Sequence, residues 1–169
     1  SKIRTGELDA IIIALPFHES DVLTRAVYEE TFSLITPKGH ELSQAGSVDS
    51  QQLSKLDMLL LGEGHCFRDQ VLEACPSLNQ SFHDQHRVTE GSSLETIRMM
   101  VASGLGTSVL PQSALNNHPS NVLVDIVPFK DPVPKRTVAV AWRASFPRPK
   151  AIDVLVEAIS RCHSLSESV

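Results

Sequence analysis

Met58-Leu59-Leu60-Leu61-Gly62-Glu63-Gly64-His65-Cys66-Phe67-Arg68-Asp69-Gln70-Val71-Leu72-Glu73-Ala74-Cys75-Pro76 contains a strand, a glycine-flanked loop and a helix in one run. Four consecutive apolar residues bounded by Gly62 read as a buried strand. A helical pattern begins near Cys66, with Val71, Leu72 and Ala74 as apolar positions and Arg68, Asp69 and Glu73 as charged ones. Pro76 biases Cys75 away from helical geometry, so the helix ends about there. Strand followed by helix points to an α/β fold, and the loop after a strand C-terminus is where open α/β sheets place ligand sites.

The same stretch holds two of the three cysteines. Across a helix from 66 to 75, nine rises put their Cα atoms about 13 Å apart, whereas a disulfide needs about 7 Å or less. The thiols cannot bond while the helix exists, which makes the segment a candidate two-state redox element. Cys66 sits at a helix N-terminus, where unpaired N–H groups favour a thiolate. His65 and Arg68 add positive charge, and Glu63 and Asp69 oppose it. Asp69 is also a candidate for proton handling. The alternative is that both cysteines are small buried hydrophobes. Cys162, near the C-terminus, reads as a packed or partly exposed thiol.

Moving outward, Ala10-Ile11-Ile12-Ile13-Ala14-Leu15 is a continuous apolar run that reads as a strand covered on both faces, as in parallel sheets. Residues 17–26 read as loop, Phe32 to Thr36 as a strand, and 49–55 as a short helix. Downstream, residues 76–88 read as loop with a short strand near Phe82 to Val88. Ser92-Ser93-Leu94-Glu95 fits a capping box with Ser92 as cap and Glu95 reaching back. Leu94, Ile97, Met100 and Val101 recur at helical spacing, and Gly104 suits the residue after the helix. Ser108 to Pro111, Val122 to Val127 and Thr137 to Trp142 read as strands, with Pro128, Pro132 and Pro134 stiffening a connector. Ile152 to Ile159 reads as an amphipathic helix running to about Cys162, with a frayed tail from Ser164 to Val169.

The bulk properties narrow the function. A chain of 169 residues with 41% hydrophobic and 21% charged residues suits a globular α/β protein. No apolar run approaches a membrane span, and no signal peptide opens the chain. Three cysteines do not make a secreted disulfide framework, so a reducing cytoplasm is expected. A net charge of −5 without a Lys/Arg block argues against nucleic-acid binding by this chain itself.

Gly6-Glu7-Leu8-Asp9-Ala10-Ile11-Ile12-Ile13 and Ser93-Leu94-Glu95-Thr96-Ile97-Arg98-Met99-Met100-Val101-Ala102-Ser103-Gly104-Leu105-Gly106, followed by Leu110-Pro111, resemble the effector domain of LysR-type transcriptional regulators. Gly64-His65-Cys66-Phe67-Arg68-Asp69-Gln70, with a second cysteine nine positions after Cys66, resembles the peroxide-sensing members of that family. The resemblance implies a two-lobed α/β domain like a periplasmic binding protein. Lobe I would comprise 1–29 and 140–169, lobe II 30–139 with the redox cysteines, and crossovers would fall near Glu29-Glu30 and from Arg136 to Trp142. It also implies that a winged helix-turn-helix DNA-binding domain and the beginning of lobe I lie outside this chain.

By the same resemblance, hydrogen peroxide oxidises Cys66 to a sulfenic acid and Cys75 resolves it to a disulfide. His65 positions the peroxide or polarises the thiol, and Arg136 stabilises the thiolate. Opening of the helix then changes how effector domains pair as dimer or tetramer, and hence contacts with promoter DNA and RNA polymerase. Thiol reductants such as glutaredoxin or glutathione reset the switch. The expected class is a transcriptional activator, not an enzyme, with no cofactor and no metal. Three alternatives stand beside it: a zinc site from His65, Cys66, Cys75, His83 and His86; a thiol peroxidase; and an effector domain that binds a small inducer between its lobes. For Arg136 the alternative is a surface ion pair.

Overall fold

A computed structural model describes residues 2–78 and 88–162. The chain divides into two compact units, residues 1–30 with 136–169, and residues 31–135. The expected strand near Phe82 lies outside the described residues except for Val88, as do His83, His86 and the tail from 163.

In the first unit, helix α1 (Lys2–Thr5) leads into strand β1 (Ala10–Ala14), which pairs with β7 (Lys135–Arg143). The pairing is antiparallel, with Ile12 opposite Val140, and corrects the parallel expectation. A continuous apolar run records burial tendency but not partner direction, and Ile12 is in fact exposed. β7 also neighbours β2 (Val22–Pro37) in the strand order. β2 therefore begins inside the segment expected to be loop. Its first half is polar because it is largely exposed: Arg25 pairs with Asp153 at 2.6 Å and lies 5.7 Å from the centre of the Trp142 ring. Helix α6 (Pro149–Ser160) buries Ile152 and closes this unit.

The second unit carries the larger core. The C-terminal half of β2 pairs antiparallel with β5 (Ser108–Pro111) and with β6 (Val124–Pro128). Val122 and Leu123, expected in a strand, belong instead to the 3-10 helix Pro119–Leu123, which His118 caps. β3 (Met58–Leu61) pairs in parallel with β4 (Val88–Gly91). It lies beside β5, where Leu59 N donates to Thr107 O and Ser108 Oγ to Leu59 O.

All four β3 residues are buried, and their alternation feeds two cores. Met58 and Leu60 pack with Val71, Cys75 and Leu78; Leu59 and Leu61 pack with Ile97 and Val101. Two helices therefore cover opposite sides of β3: α3 (Cys66–Ala74) and α4 (Leu94–Ala102). Between the strands, α2 (Glu41–Gln44), a 3-10 helix (Ser50–Lys55) and α5 (Gln112–Leu115) complete the unit.

Local chemistry explains the helix ends. Ser93, not Ser92, caps α4 by accepting from Thr96 N at 3.1 Å. Glu95 does not close a capping box; its carboxylate reaches Arg98 and His118. At the other end Gly104, at φ +80, lets its own N–H reach Val101 O while Leu105 N reaches Met100 O, a paired closure that favours glycine. Gly91 allows α4 to close on β4, since a Cβ there would sit 2.5 Å from Ile97 Cγ1. The short helix expected at 49–55 forms as a 3-10 turn with Asp49 and Gln52 in a reciprocal cap. No helix among the described residues is long and apolar enough to cross a membrane.

Candidate functional site

The β3–α3 turn is built from backbone rather than side-chain bonds. Gly62 N reaches Gly91 O, and His65 N reaches Gly62 O at 3.4 Å. Gly64 takes φ +87 to make the turn. His65 is the N-cap of α3, yet its side chain makes no capping bond. Cys66 is the first helical residue and its thiol is free and exposed. Asp69, three residues on, shares its helix face and is also exposed. His65, Cys66 and Asp69 thus form a solvent-facing group at the positive end of a helix dipole.

The far end of α3 is the opposite environment. Cys75 N donates to Val71 O at 2.9 Å, closing the last turn, and Pro76 follows the helix. Cys75 is fully buried among Val71, Leu78, Leu53 and Leu60, and burial pushes its thiol up to about 12. Along a nine-residue helix the two Cα atoms are about 13 Å apart, so the free thiols have no path to each other in this conformation. The underside of α3 is closed. Phe67 meets Phe32 edge-on at 5.5 Å, and the space bounded by Leu60, Phe67, Val71, Ile97 and Val109 has no room for water.

Arg68 departs from the sequence expectation. Instead of standing by to charge the Cys66 surface, it is buried, and its Nη1 donates to Leu61 O and Glu90 Oε1, both at 2.8 Å. It pins α3 to the C-terminal ends of β3 and β4. Glu90 lies 22 residues away in the chain, and no local sequence signal names it. Arg136 lies in the other unit, where its Nε and Nη2 hold Glu30 Oε2 at 2.7 and 2.6 Å. Glu30 is buried, so this is more than a surface ion pair. Nearby, burial pushes the Tyr28 phenol up, and the Glu30 charge adds to that. Cys162 is exposed and is not in a disulfide. Of the zinc candidates, His83 and His86 lie outside the described residues. Cys66 and Cys75 occupy separate ends of α3, and no group of three metal-type ligands occurs among the described residues.

The comparisons agree on the type of domain. Residues 1–162 match the LysR substrate binding domain. A probable hydrogen peroxide-inducible genes activator of Mycobacterium leprae is 34% identical over 99% of this chain and 53% of its own length; the chain thus spans about half of that relative. The reduced form of the OxyR regulatory domain from Pseudomonas aeruginosa is 57% identical, with a TM-score of 0.79 over 95% of this chain and 76% of that one. A reduced form of OxyR from N. meningitidis is 42% identical, with a TM-score of 0.85 over 95% and 74%. The chain belongs to the LysR substrate binding domain family, alongside the regulatory domains of OxyR.

Proposed function

We propose that this chain is the peroxide-sensing regulatory domain of a LysR-type transcription regulator, with Cys66 as the peroxidatic thiol and Cys75 as the resolving one. The observation that carries the reading is the pair of free thiols at the two ends of α3, one exposed at the dipole's positive end and one buried nine positions on. The name of the M. leprae relative and the 57% identity to a reduced OxyR domain point the same way.

The chemistry balances in two steps. The Cys66 thiolate attacks one oxygen of hydrogen peroxide, the O–O bond breaks, and Cys66 becomes a sulfenic acid as hydroxide leaves. His65 and Asp69, exposed beside it, are the groups placed to supply the proton that turns hydroxide into water. The Cys75 thiol then attacks the Cys66 sulfur, forming the S–S bond and releasing a second water. Two reductant thiols, from glutathione or a glutaredoxin, reverse the state and are themselves oxidised to a disulfide. Arg136 is the partner of buried Glu30.

The second step requires α3 to open and Cys75 to leave the core. Closing a ten-residue loop by a disulfide restricts the open chain by about 2.7 kcal/mol, and a nine-residue helix has little stability of its own. The oxidised form therefore loses the packing of Val71 and Cys75 and the Arg68–Glu90 tie, which rearranges this face of the 31–135 unit. We assign that unit to lobe II and the 1–30/136–169 unit to lobe I. In the whole cytoplasmic protein the change would alter pairing into dimers or tetramers and so contacts with promoter DNA and RNA polymerase.

The test is disulfide mapping. One equivalent of hydrogen peroxide is added to the reduced protein, free thiols are blocked, and peptides are read by mass spectrometry beside Cys66→Ser and Cys75→Ser. A Cys66–Cys75 bond in the wild type is expected, with a dimedone-trapped sulfenic acid at Cys66 in Cys75→Ser. If Cys66 stays reduced while Cys162 oxidises, the reading fails.

A further inference from the structure

We propose that Ser77 is the latch that holds Cys75 in the core, a positioning residue acting on disulfide formation and not on the oxidation of Cys66. The role rests on the thiol chemistry proposed above. Residues 75–78 form a tight turn whose two ends are anchored by burial, since Cys75 and Leu78 are both fully inside and Leu78 N donates to Cys75 O at 3.0 Å. Pro76 is exposed and carries no N–H to hold the turn.

Between them, Ser77 Oγ donates to Ser50 O at 2.7 Å, across 27 residues of chain. Ser50 begins the 3-10 helix whose Leu53 packs in the same cluster as Cys75. The bond therefore ties the turn to the wall of the Cys75 pocket. A cleft of about 600 Å³, lined by Ser50, Gln51, Ser54, Pro76 and Ser77, opens on this bond. Water entering there can replace the Ser77 hydroxyl on Ser50 O, and the turn has free space on that side.

For a disulfide, the two Cα atoms must close by about 6 Å or more. With Cys75 fully buried and Cys66 exposed, we assign the motion to Cys75, which leaves its pocket and so parts the turn from Ser50. Cys66 stands at the other end of α3, exposed already, and needs no such release. The latch thus separates the two chemical steps: oxidation of Cys66 proceeds with the bond made, and resolution waits for it to break. One partly buried hydrogen bond biases such a local opening by about three- to ten-fold.

The experiment compares wild type, Ser77→Ala and Ser77→Thr in the full chain. Pulse labelling with N-ethylmaleimide in the absence of peroxide is read at each cysteine, with hydrogen exchange of α4 amides as the measure of general loosening. Disulfide formation after one equivalent of peroxide, and dimedone trapping in a Cys75→Ser background, follow on the same proteins. Ser77→Ala is expected to raise Cys75 labelling and the disulfide rate by about three- to ten-fold, leaving Cys66 labelling and sulfenic acid trapping unchanged. Ser77→Thr, which keeps the hydroxyl, should behave as wild type. Unchanged Cys75 labelling in Ser77→Ala, or a rise matched by faster exchange in α4, overturns the latch. Faster Cys75 labelling with no disulfide in any variant supports the latch and overturns the peroxide reading instead.

Discussion

Helices α3 and α4 are each nine residues long, belong to the same unit and pack on opposite sides of the same strand, yet their ends are built differently. α4 has a serine that caps its first turn and a glycine closure that satisfies two of its last carbonyls. α3 begins at a histidine that caps nothing and ends at a cysteine before a proline. Both carry a buried arginine with a carboxylate partner about half exposed, but Arg98 also bonds two further groups, Asn121 Oδ1 and Ala114 O, whereas Arg68 bonds one, Leu61 O. Cap and anchor free energies of this kind decide whether a short helix stays folded when one contact is lost. α4 is capped at both ends. α3 has no side-chain cap at its start and is held near its ends by the Arg68 tie and the Ser77–Ser50 bond, contacts that a segment able to open can release.

The buried arginines offer the harshest test of that contrast. Arg98→Ala strands Asn121 and the Ala114 carbonyl, while Glu95, about half exposed, can turn to water. It is expected to lower global stability by about 3–5 kcal/mol, or roughly 10 °C in Tm at this chain length. Arg68→Ala strands one buried carbonyl, Leu61 O, while Glu90, about half exposed, can turn to water, and its loss should fall mainly on α3. Global stability by urea unfolding is then expected to drop by less than half as much, while α3 amides exchange faster. Equal losses for the two variants in urea would show that α3 is as integral to the fold as α4.

The buried thiol gives a pH signature that α4 lacks. Cys75 is held protonated to about 12 in the folded protein against an ordinary value of 9.0. Above pH 9 the unfolded chain loses this proton and the folded one keeps it, so the unfolded state is favoured as pH rises. Stability that is intact below pH 9 falls by about 1.4 kcal/mol per pH unit, on the order of 3 kcal/mol by pH 11. Cys75→Ala removes the titration, so the stability gap between wild type and variant should narrow steadily from pH 9 to 11. A constant gap would mean that Cys75 is already reached by solvent, and that α3 stands partly open in the resting protein.

The sequence made much of α3 legible and little of what holds it. The apolar run at Met58–Leu61, the glycines and Pro76 are local signals, and the strand and helix fall where those signals put them. The distance between the cysteines follows from helix geometry alone. The burial of Arg68 does not, because it is set by a carboxylate on another strand, and the Ser77 bond depends on a carbonyl 27 residues earlier. The Ser92–Ser93 pair shows the limit at a finer scale. Both are good caps by type, and the backbone of Thr96 selects Ser93. Likewise the β1 run announces a strand, but its antiparallel pairing is decided by β7, more than a hundred residues downstream.

The smallest expected effect is also the most direct way to turn one helix into the other. His65→Ser places at the α3 N-cap the side chain that α4 already has, and a cap of this kind contributes about 1 kcal/mol. Ser93→Ala makes the reverse change and should remove about as much from α4. If the ends are what distinguish the helices, His65→Ser slows hydrogen exchange across α3 by about five-fold and slows peroxide-driven disulfide formation in parallel, because both pass through the opened helix. The two rates must be read together, since His65 also stands beside the reacting thiol. A slower disulfide with unchanged α3 exchange would locate the effect in the chemistry at Cys66. Slower exchange with an unchanged disulfide rate would mean that Cys75 leaves the core by a route that spares the first turn of α3, releasing the C-terminal end while Cys66 keeps its place.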